Sequence, residues 1–139
     1  MVNMMKRNDL EKLHLEYPEA RQMHFNNKGF DYLMPNKAGQ MFKVEYKCRS
    51  LGVKYDISPS QVFEPDIFTL RIKDTHKHYH MSSSTYRKIS KRHSAIDSGW
   101  TGKALELSQK KFIENSTTDL RALVETLEFE GVDLTEFFA

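Results

Sequence analysis

Cysteine is nearly absent from this chain. Cys48 stands alone, which excludes an intrachain disulfide and a cysteine zinc cage and suits a reducing, cytoplasmic setting. Long apolar runs are missing as well. No window approaches the ~18 apolar residues that a membrane span needs. The start, Met1 to Arg7, runs into charge instead of an apolar signal core, which points away from secretion. There is no internal repeat and no low-complexity segment. The one tryptophan, Trp100, lies between Gly99 and Gly102 and reads as a loop anchor in the core. Net charge is small, +2, but it conceals two opposed blocks described below.

Among the 139 residues, 39% are hydrophobic and 29% charged. That is enough for one modest core and too apolar for a disordered chain, so one domain over 1–139 is expected. A helix is expected over Asn8 to Glu16, with Leu10, Leu13 and Tyr17 as its stripe and Pro18 as its stop. Arg21 to Phe25 reads as a weak strand and Phe30 to Met34 as a better one. Pro35 to Gly39 reads as a hairpin turn. Met41 to Arg49 is the clearest strand. Phe42, Val44, Tyr46 and Cys48 share one face, and Lys43, Glu45, Lys47 and Arg49 the other. A loop follows from Ser50 to Pro65. Strands are then expected over Asp66 to Lys73 and His76 to Met81, with a turn near Asp74. Ser82 to Ser84 offers a cap for a basic helix over Thr85 to His93. Ser94 to Gly102 reads as a loop and Lys103 to Phe112 as a helix. Thr117 or Thr118 would cap a last helix to about Phe129, with Leu120, Leu123, Val124 and Leu127 inward. This order predicts a mixed α/β (α+β) domain.

Two strands concentrate the chemistry. Glu45 and Lys47 sit two apart on one strand, so their side chains share a face about 6–7 Å apart along the chain. Tyr46 points into the core. Asp31 lies on the strand before, across the hairpin, where pairing would bring its carboxylate beside Glu45. Two carboxylates and backbone carbonyls are what a hard cation such as Mg2+ requires. A lysine beside that ion can orient or deprotonate a water, while the ion offsets charge on an attacked phosphate. With this composition about one Glu-x-Lys is expected by chance, so the weight rests on context. It is the one Glu-x-Lys or Asp-x-Lys in the chain, on the polar face of the best strand, and a lone acid precedes it inside an apolar strand. A solvated hairpin with a cross-strand ion pair is the competing structural reading.

Gly29-Phe30-Asp31-Tyr32-Leu33, a turn, then Phe42-Lys43-Val44-Glu45-Tyr46-Lys47 resembles the PD-(D/E)xK nuclease superfamily, over roughly Asp9 to Ile89. The resemblance implies a restriction-endonuclease-like core, with a central mixed sheet of four to five strands flanked by helices. It also implies Mg2+-dependent hydrolysis of DNA phosphodiesters, with Mn2+ as a substitute. Asp31 and Glu45 would hold the metal with the Tyr46 carbonyl, and Lys47 would position the water. Many members add a glutamate from the first helix, for which Glu11 is the first candidate and Glu16 the second. Phe30 replaces the motif's proline. The literal Pro65-Asp66 is followed by no Glu-x-Lys, and Asp66 reads as a turn residue that starts a strand.

Residues 71–93 carry seven Lys/Arg against Asp74, a block of +6. Lys73, Lys77, Ser84, Arg87, Lys88, Lys91 and Arg92 are its candidate DNA-backbone contacts. His76, His78 and His80 would share a face on a strand. Phosphate contact or plain surface is preferred over a transition-metal site, because no acidic or cysteine ligand is evident nearby. Residues 112–139 carry −6. Their apolar stripe and terminal Phe137-Phe138 suggest a docking or dimerisation segment, and a homodimer would supply the two sites that duplex cutting needs. The leading expectation is a metal-dependent deoxyribonuclease. The alternative is a non-catalytic nucleic-acid-binding or regulatory protein, of a kind phages carry.

Overall fold

A nine-residue alternation at Met41–Arg49 forms the strand around which the domain is built. The computed structural model describes residues 13–23, 30–92 and 104–127. A helical turn over 13–16 leads to strands β1 (Arg21–Gln22), β2 (Tyr32–Pro35) and β3 (Met41–Arg49). β4 (Tyr55–Ile57) and a 3-10 turn (Pro59–Gln61) precede β5 (Ile67–Ile72) and β6 (His78–Ser82). Helix α1 (Ser83–Ile89), β7 (Lys91–Arg92), β8 (Leu105–Leu107), α2 (Gln109–Glu114) and α3 (Leu120–Thr126) complete the order.

The main sheet runs β1-β2-β3-β5-β6 and is mixed, with β3 and β5 parallel and the other pairs antiparallel. A smaller antiparallel sheet runs β4-β8-β7. The mixed α/β class is therefore as the sequence predicts. Parallel neighbours need a crossover, and here residues 50–66 supply it with β4 and the 3-10 turn. The sequence pattern alone predicts a plain loop there. Tyr55-Asp56-Ile57 is too short for a periodicity to register, and it becomes a strand because β8 pairs it and the core takes Tyr55 and Ile57.

Both faces of the central strands are covered, as expected for buried sheet interiors. On one face Phe42, Val44 and Tyr46 pack with Leu13, Tyr17, Leu120 and Val124. On the other, Phe68, Leu70 and Met81 pack with Tyr55, Ile57, Tyr86 and Phe112. The hairpin between β2 and β3 turns at Asn36–Gly39, where Gly39 has φ +83, a left-handed conformation that glycine adopts without strain. Pro35 belongs to the end of β2, not to that turn.

Three helices differ from expectation. Ser82 caps α1 by accepting the Thr85 N–H, but the helix ends at Ile89 because Ser90 turns extended and Lys91 pairs with Glu106. The cross-strand partner overrides the helix propensity of Lys91 and Arg92. Residues 105–107 form a strand and not a helix, and Ser108 caps α2 through the Lys111 N–H. Asp119, not a threonine, caps α3 by accepting from Ala122. The expected inward residues of that helix, Leu120 and Val124 with Leu123 and Leu127, do pack on the first core. Trp100, the Asn8 end of the first helix and Phe137-Phe138 lie outside the described residues. Among the described residues no helix is long and apolar enough to cross a membrane.

Phe68 is fully buried against Tyr55 and Tyr86, with ring centroids 5.8 and 4.8 Å away. Phe68→Ala should lower the unfolding free energy by about 3–5 kcal/mol, measured by urea denaturation. A loss under about 1 kcal/mol would contradict this core.

Candidate active site

β2 pairs with β3 only as far as Tyr32↔Val44, so Asp31 stands at the point where the ladder ends. Its N–H still donates to the Val44 carbonyl (2.8 Å), and its carboxylate takes the Tyr46 N–H at 2.9 Å. The side chain thus replaces the missing strand partner and lies beside the residue between Glu45 and Lys47. In an extended strand one residue's N–H and C=O point to the same edge. The Tyr46 carbonyl therefore faces the Asp31 side of β3.

Glu45 and Lys47 share the opposite face from Tyr46, with Lys47 Nζ 3.8 Å from Glu45 Oε1. Asp31 and Glu45 are buried. The Lys47 side chain is only 14% exposed. Burial lowers its ammonium pKa below the ordinary value; Glu45 opposes that shift and Arg49 adds to it. A lysine so placed gives up its proton more readily than a surface lysine. Arg49 reaches Asp56 at 3.6 Å, extending the charged row to the second sheet.

Three residues of the expected loop segment, Gln61, Tyr55 and Asp56, hold this row in place. Gln61 Nε2 donates to Glu45 Oε1 at 3.1 Å, while Gln61 Oε1 accepts the Ser58 N–H at 3.2 Å. The second bond fixes which end of the amide faces the carboxylate. Tyr55 donates its hydroxyl to the Glu45 carbonyl at 3.1 Å, and Asp56 meets Arg49. Burial, then Glu45, pushes the Tyr55 phenol well up, so it stays a donor. The available signal was Ser58-Pro59-Ser60-Gln61, a Ser-x-x-Gln capping pattern with Pro at the first turn position.

The helix glutamates are a different matter. Glu11 lies outside the described residues. Glu16, the second choice, is bonded to His78 Nδ1 at 2.6 Å. His78 in turn meets the Tyr46 hydroxyl through Nε2 at 3.1 Å. Tyr46 projects to the face away from Glu45, so Glu16 is engaged behind the sheet and does not join the Asp31–Glu45 pair.

The surface reading of the histidines is overturned in part. His78 and His80 share a face as the alternation predicts, but that face is the core. His80 Nδ1 meets Thr69 Oγ1 at 2.7 Å, and its ring packs edge-on against Tyr17 at 5.7 Å. His76 remains exposed. Arg71, counted in the basic block, is also buried and donates to Cys48 Sγ at 3.3 Å, with Cys48 half-buried as the apolar face of β3 predicts.

The candidate backbone contacts do not form one patch. Lys73 and Lys77 are exposed at the turn where β5 ends, and Ser84, Arg87 and Lys88 lie on α1 at the other end of the strand. The two groups are separated by a strand of six residues, about 20 Å. Lys91 and Arg92 are exposed on β7, where Lys91 Nζ approaches the buried Glu106 at 3.8 Å.

Asp31, Glu45 and the Tyr46 carbonyl are hard oxygen groups on neighbouring positions, the kind of donor that Mg2+ takes. Among the described residues no cluster of three or more His, Cys, Asp or Glu side chains would hold a metal. No protein-family model matches the sequence, and no curated protein matches it.

The buried histidines carry a pH signature. Desolvation lowers the His80 pKa from 6.5 to about 3, helped by His78, and lowers that of His78 against the pull of Glu16. The native state keeps His80 neutral, whereas the unfolded chain takes up a proton below 6.5. This part of the stability is complete above that pH and is lost as pH falls toward 3. Urea unfolding should show a decline from pH 7 to pH 4 that is shallower in His80→Asn, which keeps the bond to Thr69. Parallel pH curves for the two proteins would refute it.

Proposed function

We propose that this chain is a metal-dependent DNA endonuclease of the PD-(D/E)xK type, hydrolysing phosphodiester bonds at Asp31, Glu45 and Lys47. The observation that carries the reading is the hydrogen bond from the Tyr46 N–H to Asp31, which sets a carboxylate against the strand bearing Glu45 and Lys47. A solvated hairpin face would leave these groups exposed, and they are buried. The sheet adds support. A five-stranded mixed sheet agrees with the four- to five-stranded mixed sheet such a core implies.

Asp31, Glu45 and the Tyr46 carbonyl would hold Mg2+, or Mn2+ in its place. The bound ion supplies charge neutralisation at the phosphate and a more acidic water. Lys47 orients the attacking water and takes part in moving its proton. The water oxygen bonds to phosphorus as the ester P–O bond opposite it breaks, and the leaving oxygen is protonated from solvent. Gln61 and Tyr55 keep Glu45 in one rotamer and one register. Ser84, Arg87 and Lys88 at one end of the sheet, Lys73 and Lys77 at the other, and Lys91 and Arg92 on β7 would meet DNA phosphates. The α3 stripe is taken up by the domain's own core, so a homodimer presenting two sites to a duplex would use other surface of residues 112–139, in a reducing cytoplasm that suits a lone thiol.

The test is nicking of supercoiled plasmid with and without Mg2+. Wild type should cut only with the metal. Glu45→Gln and Lys47→Met should abolish cutting while retaining DNA binding, and Gln61→Ala should slow it by about 10–100-fold. Cutting by either of the first two at the wild-type rate would refute the mechanism. Salt-sensitive DNA binding by a wild type that never cuts would favour the non-catalytic alternative.

A further inference from the structure

At the end of the sheet where β3 and β5 begin, a cavity of about 540 Å³ opens between residues 63–66, α1 and the end of α3. Its volume lies within the about 300–1,000 Å³ typical of sites for small ligands. Phe63 lines it and is 78% exposed, a large apolar ring left in water. The Arg87 guanidinium lies over that ring, 4.9 Å from its centroid, and donates to the Val62 carbonyl at 3.0 Å. Lys43 also lines the cavity, as do Ser83 and Ser84.

Lys43 stands two residues before Glu45 on the same face of β3, about 6–7 Å along the strand. Lys43 thus joins the cavity to the strand that carries Glu45 and Lys47, which do not themselves line it. Two acids border it. Glu64 approaches Lys43 Nζ at 3.4 Å and is 48% exposed, a pairing weak enough to yield to phosphate. Asp66 accepts the Lys43 N–H at 2.7 Å, so its carboxylate is engaged with the strand backbone.

We propose that this cavity is a nucleotide subsite for an unpaired DNA strand, with a base stacking on Phe63 and its phosphates held by Lys43 and Arg87. An aromatic ring beside a cationic track is how proteins hold single strands without reading sequence. Bases inside a duplex are already stacked on each other and have no face to offer the ring. The subsite rests on the nuclease reading only for its role. It makes the preferred substrate a duplex with a frayed, flapped or tailed end, in place of an intact one.

Fluorescence anisotropy of the full chain in EDTA tests this, using a labelled duplex with a single-stranded tail against a blunt duplex of equal length. The tailed DNA should bind about tenfold more tightly. Phe63→Ala should erase that preference, Phe63→Trp should keep it, and blunt-duplex binding should change less than about twofold in both. The exposed ring makes either variant safe for folding. Equal affinity of the wild type for the two DNAs, or a preference that survives in Phe63→Ala, overturns the subsite. A Phe63-dependent preference without Mg2+-dependent cutting keeps the subsite and removes the nuclease. Cutting without such a preference does the reverse, and no DNA binding at all removes both.

Discussion

The hydrogen bond between the Tyr46 N–H and the Asp31 carboxylate is the constraint on which the rest of the site depends. It occurs where β2 stops pairing, so it satisfies a backbone donor that would otherwise be stranded inside the sheet. The same bond fixes a buried carboxylate next to Glu45. Stability and the proposed chemistry therefore share one contact, and ordinary pairing at that strand edge would displace the Asp31 carboxylate.

Around that contact the domain sorts its polar groups by face. Behind β3, Tyr46, His78 and Glu16 form a hydrogen-bonded row ending on the first helical turn. In front of it, Glu45, Lys47, Arg49 and Asp56 form a charged row running toward the smaller sheet. Each row starts buried, at Tyr46 or Glu45, and grows more exposed toward Glu16 or Asp56, so its buried members are hydrogen-bonded or paired. Tyr46 joins the rear row through its hydroxyl and holds Asp31 through its backbone N–H.

Much of this was legible in the residues. The alternation from Met41 to Arg49 defined β3 to its ends, and the turn before it implied that Asp31 would lie across from Glu45. What escaped was set by tertiary partners. Tyr55-Asp56-Ile57 acquires strand geometry from β8, fifty residues later in the chain. Lys91 leaves its helix for the buried Glu106. The alternation of His78 and His80 was visible, but their inward direction depends on Glu16, Thr69 and Tyr17, which no local pattern connects to them. The basic block is continuous in sequence and divided in space because a strand and its return separate its halves.

The parallel join between β3 and β5 has a consequence for the order of assembly. The main sheet consists of an antiparallel unit containing β2 and β3 and another containing β5 and β6, each closed by a short turn. Asp31 and Tyr46 are 15 residues apart within the first unit, so their contact needs little loop closure. Gln61, Tyr55 and the burial of Lys47 arrive only when the crossover docks the second unit, a non-local step of the kind that slows folding. The acidic pair thus belongs to the early, local part of the fold, and the groups that tune it belong to the late part.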